Sequence, residues 1–336
     1  MRTISIFLAS ASVLALAACE TVSDAPEVEA EAVADDVVEA VEVDIEVEVE
    51  QTVSETVDMP TNAERLQAIL DAQPEDVQAR YGARNPAETL AFFGVEPGMV
   101  VVEALPGGGW YSKILMPYLG SEGALVGAQY PDEIWAKILP PGNEDRIQGF
   151  IDRSAGWKDT ALEWVGDDGP EVHSYQMTKL GRENTEDADA FLFIRALHNL
   201  NRTEESDGYL SKTVAEAYRA LRPGGLVGVV QHRAPEENSD EWASGGNGYL
   251  KQSYVISVFE EAGFVLADTS EINANSADQP TEDDFVWRLP PTRAGAETEE
   301  ARAIVDAIGE SDRMTLKFLK PYPTYDADPD DADYEK

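Results

Sequence analysis

The sequence predicts an α/β protein built on a doubly wound, mostly parallel sheet. Short apolar runs recur along the chain with helix-like stretches between them, and three consecutive glycines follow the first core run. Strands separated by helices pair in parallel through right-handed crossovers, so this alternation favours a sheet with helices on its faces. The chain has 336 residues, of which 43% are hydrophobic, and this is enough for one large core. We therefore expect one main domain.

The elements before the first core strand carry helix start and stop signals. Thr61 and Glu64 have the spacing of a capping box at the start of one helix. A second, shorter helix is predicted with Asn85 as its N-cap, Pro86 as its first residue and Gly94 past its end.

The first core strand is predicted from the apolar run 99–104, which reads as a strand buried on both faces. A helix over 110–119 should follow it, and Pro117 should kink or shorten that helix. The later strands are predicted from the apolar runs 124–130, 171–176, 190–194, 226–231 and 264–269.

Helices precede the later strands. The stretch 207–221 ends near the sequence RPGG, and 250–262 ends at a glycine. A long irregular insertion, 272–296, and a helix near 297–308 then lead to a last strand at 313–320. We expect this strand to return antiparallel beside its predecessor.

The two ends of the chain differ in composition from the domain. Residues 1–18 predict a signal peptide, because their apolar stretch is too short for a membrane span. The following L-A-A-C resembles the bacterial lipoprotein box, which implies lipidation at Cys19; an ordinary signal peptide with a chance cysteine is the alternative. We therefore expect a lipid-anchored protein on the periplasmic face of the outer membrane.

Residues 19–60 are rich in Glu, Asp, Val and Ala and contain no Lys or Arg. They predict an acidic disordered tether, with an edge strand at 41–50 as the alternative. Residues 322–336 predict a second acidic disordered tail by the same argument. The domain between these segments is residues 61–321.

Charge and cysteine content exclude some classes of function. The chain has 65 acidic and 25 basic residues, giving a net charge of −40, which repels nucleic acid phosphates. No nucleic acid partner is expected. Cys19 is the only cysteine, so a monomer has neither a disulfide framework nor a thiolate zinc site, and no metal is predicted.

The glycine stretch lies between the first core strand and the helix after it. This is the carboxyl edge of the sheet, where open α/β folds bind ligands. Glycines let the backbone approach a ligand, and the next helix offers free N–H groups. A dinucleotide fingerprint needs a third glycine where Ser112 stands, so that pattern is not met.

Three motifs in order carry a family resemblance: VVEALPGGGWY (101–111), DADAFLFIRALHNL (187–200) and ALRPGGLVGVV (220–230). The chain resembles class I S-adenosylmethionine-dependent methyltransferases over residues 61–321, and more narrowly a bacterial group with a PGGGWY first motif. The resemblance implies a Rossmann-like sheet of seven strands with the last antiparallel. It also implies S-adenosylmethionine as the cofactor.

The resemblance assigns a cofactor site to Glu103, Pro106, Gly107, Gly108, Gly109, Trp110, Gln129 and Tyr130. Glu103 would face the cationic ligand from the end of the first strand. Two positions depart from the family. Leu105 replaces the first glycine of the loop, and Gln129 stands where an acidic residue usually meets the ribose hydroxyls. Asp132 is a nearby substitute for that carboxylate.

Methyl transfer mainly requires alignment of an acceptor with the methyl group and sometimes removal of a proton. His198 follows the fourth strand and His232 the fifth, so both should lie at the carboxyl edge as general base or substrate contact. The alternative for each is a structural histidine. Arg195 and Arg233 could bind an anionic substrate or form salt bridges.

Tyr249 and Lys251 start a predicted amphipathic helix and are candidates for the substrate mouth. With the three ordered motifs, the resemblance implies methyl transfer to a small molecule or an envelope component. The alternative is a non-catalytic ligand-binding or envelope-interaction lipoprotein on a degenerate methyltransferase scaffold. The sequence does not indicate the acceptor atom or the oligomeric state.

Overall fold

The computed structural model describes residues 60–166, 169–181 and 186–323. The predicted signal peptide, the lipidation site Cys19, nearly all of the tether and most of the acidic tail lie outside the described residues. Within those ranges, no helix has the length and apolarity needed to cross a membrane.

The strands of the described chain form a mostly parallel sheet. They are β1 (Val100–Ala104), β2 (Ala124–Gln129), β3 (Glu171–Gln176), β4 (Ala188–Ile194), β5 (Leu221–Ala234), β6 (Leu250–Lys251), β7 (Val265–Ser270) and β8 (Arg313–Leu319). Seven of them lie in the order β3-β2-β1-β4-β5-β8-β7, and the short β6 pairs with β5. Only β8 runs antiparallel to its neighbours, β5 and β7. The predicted doubly wound sheet of seven strands with the last antiparallel is confirmed.

Helices cover both faces of this sheet. They are α1 (Asn62–Asp71), α2 (Glu75–Gln78), α3 (Tyr81–Arg84), α4 (Pro86–Phe93), α5 (Ser112–Leu119), α6 (Asp132–Ile138), α7 (Glu144–Ala155), α8 (Trp157–Leu162), α9 (Leu197–Asn201), α10 (Glu204–Asp207), α11 (Tyr209–Ala220), α12 (Gln252–Glu261) and α13 (Glu299–Ile308). The insertion between β7 and α13 contains a 3-10 turn, Val286–Arg288.

Strand side chains alternate between two apolar layers. Val102 and Ala104 of β1 pack in the layer made with α6, α11 and α12. Val101 and Leu125 pack in the opposite layer, made with α1, α4, α5 and α8. By the same alternation Glu103 lies on the second face, which we call the α4/α5 face.

The order of the sheet reverses between β1 and β4. The chain leaves β1 toward β2 and β3, then returns to pair β4 on the other side of β1. Open α/β sheets bind ligands in the crevice outside the carboxyl ends of the strands at such a switch point. The loop after β1 and the exit of β4 flank this position.

The predicted helix caps are mostly as expected. Both hydrogen bonds of the capping box between Thr61 and Glu64 are present, and α4 begins at Pro86 and ends before a left-handed Gly94. Asn85 occupies the N-cap position of α4 as predicted, but its side chain makes no capping hydrogen bond. Asn85 also ends α3, so its backbone is left-handed, and its amide donates to the carbonyl of Ile272 at 2.7 Å.

Three element boundaries differ from prediction. Helix α5 begins at Ser112 rather than at residue 110, and the Lys113 carbonyl that Pro117 cannot bond accepts from Gln73 Nε2 at 3.3 Å. The RPGG sequence forms a bulge within β5: Leu221 pairs with Ala188, and the next paired residue of β5, Leu226, pairs with Ala190. Helix α12 begins at residue 252, so the predicted amphipathic helix starts later and its first residues, 250–251, form β6 instead.

Candidate functional site at the switch point

The loop after β1 has an unusual backbone. Leu105 adopts a left-handed conformation with φ of 49°, and its N–H donates to the Ala128 carbonyl at 2.7 Å. Such a conformation costs a bulky residue roughly 1–3 kcal/mol and occurs most often at functional sites. Leu105 thus holds a left-handed backbone conformation that glycine adopts more readily.

The three glycines of the loop differ in what requires them. Gly107 and Gly109 have positive φ, 56° and 74°. A Cβ on Gly109 would lie 2.1 Å from the ring of Trp164, so this glycine is needed for protein packing. A Cβ on Gly108 would meet nothing within 4 Å, and Gly108 is exposed. Within the described residues, no protein contact explains a glycine at position 108.

Glu103 ends β1 beside this loop. Its side chain is 4% exposed, and its Oε2 accepts a hydrogen bond of 2.6 Å from the Ser112 hydroxyl at the start of α5. Burial raises the pKa of the carboxyl to about 7, and the Ser112 hydrogen bond opposes this rise. The ionised form is therefore expensive without a cation nearby and would be stabilised by a positively charged ligand.

Gln129 ends β2 on the same face of the sheet. It is 3% exposed, and its Nε2 has no hydrogen-bond partner. A buried amide without an acceptor costs about 1–3 kcal/mol. Asp132, the substitute carboxylate considered from sequence, accepts instead from Gln176 Nε2 at 2.6 Å. The end of β2 thus offers an unpaired donor rather than a charge.

The remaining predicted cofactor residues have different surroundings. Pro106 is buried, and its carbonyl accepts from the N–H of Gly109 at 2.9 Å, which closes the loop. Trp110 packs edge-on against Tyr111 at 4.9 Å, and its Nε1 has no partner. Tyr130 is fully buried, and its hydroxyl donates to the carbonyl of Ala196. Its role in the structure is to join the end of β2 to the exit of β4.

The structure brings the two predicted catalytic histidines together. The rings of His198 and His232 lie 5.5 Å apart, and the two side chains are 5% and 8% exposed. His232 Nδ1 is hydrogen-bonded to the Ser311 hydroxyl at 2.5 Å. Burial lowers the pKa of His198 to about 4 and that of His232 well below its usual value. Both imidazoles are neutral at neutral pH and can accept a proton.

Residues 235–250 and 272–296 form a cap over this pair. The ring of Trp287 lies 6.0 Å from His198, and that of Tyr249 lies 6.2 Å from His232. A Cβ on Gly245 would lie 2.2 Å from the carbonyl oxygen of His198. The cap has its own apolar cluster of Ala234, Trp242, Ala243, Tyr249 and Val286, with Trp287 against it. The cap was not predicted from the sequence, although tryptophans in otherwise polar insertions indicate that these insertions bury apolar side chains.

Three of the predicted substrate residues are engaged by the protein itself. Arg233 forms ion pairs with Glu271 and Asp312 at 2.7 and 2.8 Å, in line with the salt-bridge alternative. Lys251 Nζ lies 2.6 Å from Asp240. Tyr249 is fully buried, and its hydroxyl donates to Asp278 at 2.9 Å, so Tyr249 is a core residue of the cap.

Arg195 differs from these three residues. It follows β4 with φ of 57°, and within the described residues its side chain makes no hydrogen bond or ion pair. Two further arginines beside it, Arg84 and Arg313, were not identified from sequence. They are 4% and 2% exposed. The local sequence pattern does not predict that an arginine will be buried. In the described ranges, no group of three or more His, Cys, Asp and Glu side chains is placed to hold a metal.

The fold is that of a doubly wound α/β protein, and its candidate site lies at the β1/β4 switch point. Its fold is similar to that of a SAM-dependent methyltransferase from Aquifex aeolicus, with 13% identity, a TM-score of 0.43 and coverage of 76% of this chain and 98% of that one. It is also similar to geranyl diphosphate C-methyltransferase from Streptomyces coelicolor A3(2), with 14% identity, a TM-score of 0.43 and coverage of 75% and 87%.

A third similar structure is 1,6-didemethyltoxoflavin-N1-methyltransferase from Burkholderia thailandensis, with 14% identity, a TM-score of 0.39 and coverage of 79% and 94%. No family model matches the chain, and no curated protein sequence matches it.

Proposed function

We propose that the protein is an S-adenosylmethionine-dependent methyltransferase that acts on a small molecule or an envelope component. The observation that carries the proposal is the combination at the switch point of an exposed Gly108 with open space beside it, the Glu103 carboxyl and the unpaired Gln129 amide. All three lie at the carboxyl ends of β1 and β2, where this fold class binds ligands.

These residues fit the chemistry of the cofactor. Glu103 supplies a carboxylate for a ligand with positive groups, and Gln129 Nε2 supplies a donor for a ribose hydroxyl. The backbone at Gly108 is open to close approach. When bound, S-adenosylmethionine supplies a methyl group activated by its sulfonium.

The other residues of the site would act on the acceptor. His198 and His232 are kept neutral by burial, so a ring nitrogen of either can accept a hydrogen bond from an acceptor hydroxyl or amine and act as a weak general base for its proton. The cap over the histidines restricts the access of water to this position.

A second candidate function is ligand binding without catalysis. The departures at Leu105 and Gln129 favour it, because the loop carries a side chain where the family has a glycine and the end of β2 lacks a carboxylate. In that case the same residues would bind a ligand, but no methyl group would be transferred.

The test is calorimetric titration of the full-length protein with S-adenosylhomocysteine, comparing wild type with Gly108→Leu. A Cβ at position 108 meets nothing, so the variant should keep its melting temperature while losing about tenfold in affinity, or ~1.4 kcal/mol. Gly149→Leu is the matched control, because position 149 also has open space but lies on the exposed face of α7.

Micromolar binding that Gly108→Leu weakens and Gly149→Leu preserves supports the cofactor site. Equal affinity in all three proteins, or no heat at millimolar ligand, would overturn it. If the cofactor binds, transfer of a labelled methyl group from S-adenosylmethionine to envelope extracts separates the enzyme from the binding protein.

A further inference from the structure

Arginines collect on the α4/α5 face beside the two histidines. Arg313, the first residue of β8, pairs directly across the sheet with His232 of β5, so the two side chains are neighbours on one face. Arg84 ends α3, with its guanidinium 4.4 Å above the Trp110 ring. Arg195 leaves β4 one turn before His198. Helix α3, the segment after β4 and strand β8 therefore place positively charged side chains close together.

Partner carboxylates do not match this charge. Glu310 forms ion pairs with Arg80, Arg84 and Arg313, and it is the one carboxylate that pairs with these arginines in the part of the chain that the structure describes. The fourth guanidinium, that of Arg195, has no ion pair there. Three guanidinium groups therefore share one carboxylate, and the fourth has none.

Hydrogen bonding is also incomplete. Nε and Nη1 of Arg84 and Nε of Arg313 are buried without a hydrogen-bond acceptor. The contact from Arg84 Nε to Glu310 is an ion pair at 3.8 Å, too long for a hydrogen bond. Leaving a buried charged donor unpaired is costly. An oxyanion placed among these groups would remove that cost.

The electrostatics of the cluster support this interpretation. Burial lowers the pKa of Arg84 to about 8, and the charge of Arg195 is the next largest cause. Burial likewise lowers the pKa of Arg195 to about 10, with Arg313 as the next cause. The guanidinium groups are thus close enough to repel one another, in a chain whose net charge is −40.

We infer that the methyl acceptor is an anionic molecule whose carboxylate or phosphate binds between Arg84 and Arg195, beside His198 and His232. This inference rests on the proposed function and names its substrate class. Guanidinium groups bind both oxyanions through paired N–H donors. The cluster lies at the exits of β4 and β5, whereas Glu103 and Gln129 lie at the exits of β1 and β2. The anionic acceptor and the cofactor would therefore contact different sets of residues.

The test uses inorganic phosphate and acetate as probes on the full-length protein, with sodium chloride keeping the ionic strength constant. Melting temperature and calorimetric heat are measured for wild type, Arg195→Gln and Arg146→Gln. The Arg195 side chain makes no hydrogen bond or ion pair in the described residues, so its replacement by Gln removes a charge without breaking either kind of interaction. Arg146 is exposed on α7, with its guanidinium above Phe150 only, and serves as the control.

We expect phosphate, acetate or both to raise the melting temperature of wild type and Arg146→Gln beyond the effect of chloride. Arg195→Gln should lose about tenfold or more in affinity for the anion. Phosphate alone would identify a phosphate-bearing acceptor, and acetate alone a carboxylate. No anion-specific shift, or the same shift in Arg195→Gln, would overturn the inference.

Titration with S-adenosylhomocysteine in parallel separates the two proposals. Arg195→Gln should retain wild-type affinity for it, which also shows that the variant is folded. Anion binding without any binding of S-adenosylhomocysteine would contradict the methyltransferase proposal but support the anion site. The reverse result would remove the anion site alone.

Discussion

Glu103 is a carboxyl group held almost completely out of water at the end of a parallel strand. Burial raises its folded pKa to about 7, above the value of an unfolded glutamate. A raised pKa of this sign stabilises the folded state most below about pH 4.5, and that stabilisation is lost as the pH rises through about 7. The ionised residue therefore weakens the fold at neutral pH.

Ligand binding should depend on pH through the same residue. Affinity for S-adenosylhomocysteine, whose ammonium favours an ionised partner, should rise several-fold between about pH 6 and pH 8 as Glu103 ionises. The two histidines titrate below this range, because burial lowers the pKa of each. Calorimetry at intervals across the range measures the dependence.

The comparison variant is Glu103→Gln, which keeps the shape of the side chain and removes its charge. Its affinity for S-adenosylhomocysteine should be weaker than that of wild type and should not change with pH. If Glu103→Gln keeps the same slope as wild type, another group controls the pH dependence and Glu103 does not face the ligand.

At the scale of elements, the loop between β1 and α5 is held by α8 and the turn after it. The ring of Trp164 occupies the space that a side chain on Gly109 would need. We expect Gly109→Ala to destabilise the protein by about 2 kcal/mol or more, because it adds both a clash and an unfavourable positive φ. Denaturant unfolding followed by fluorescence measures this.

Two further variants test the physical cause. Gly108→Ala should change the free energy of unfolding by less than about 0.5 kcal/mol, since position 108 is open. Trp164→Ala should remove part of the penalty of Gly109→Ala, so the double variant should be more stable than the sum of the single effects. Strictly additive effects would show that the ring is not the obstacle.

The elements that sequence predicted well are those fixed by local chemistry. The apolar runs, the capping box at Thr61 and the glycine after α4 depend on residues within a few positions of each other. The N-cap position of Asn85 was predicted, but the partner of its side chain was not, because Ile272 lies far along the chain. Neither Arg84 nor Arg313 was predicted, since their cluster depends on α3 and β8 meeting on one face of the sheet. The positions of the glycine loop and the histidines followed from the sheet edge alone.

At the scale of the whole molecule, the strongly acidic chain places two buried arginines, Arg84 and Arg313, beside two half-buried ones, Arg80 and Arg195. Its charge of −40 repels anions at long range, but salt screens that repulsion within about 10 Å at 0.1 M. A buried cluster is screened much less, so it keeps its attraction for a small anion that reaches it. We therefore expect anion binding to the cluster to survive at moderate salt, unlike binding to surface lysines.

The predicted location of the protein remains a proposal, and it affects the proposed function directly. S-adenosylmethionine is a cytoplasmic metabolite, whereas the sequence L-A-A-C predicts export and lipidation at Cys19. We expect Cys19→Ser to move the protein from the membrane fraction to a soluble or unprocessed form and to abolish incorporation of labelled palmitate. Glu20→Ser, which leaves the cysteine in place, is the control. Retention of label in Cys19→Ser would contradict the anchor. Loss of label together with unchanged binding of S-adenosylhomocysteine would show that the domain binds its ligand independently of the anchor. Whether the exported protein acts as an enzyme or only binds a ligand would then depend on whether S-adenosylmethionine is present outside the cytoplasm.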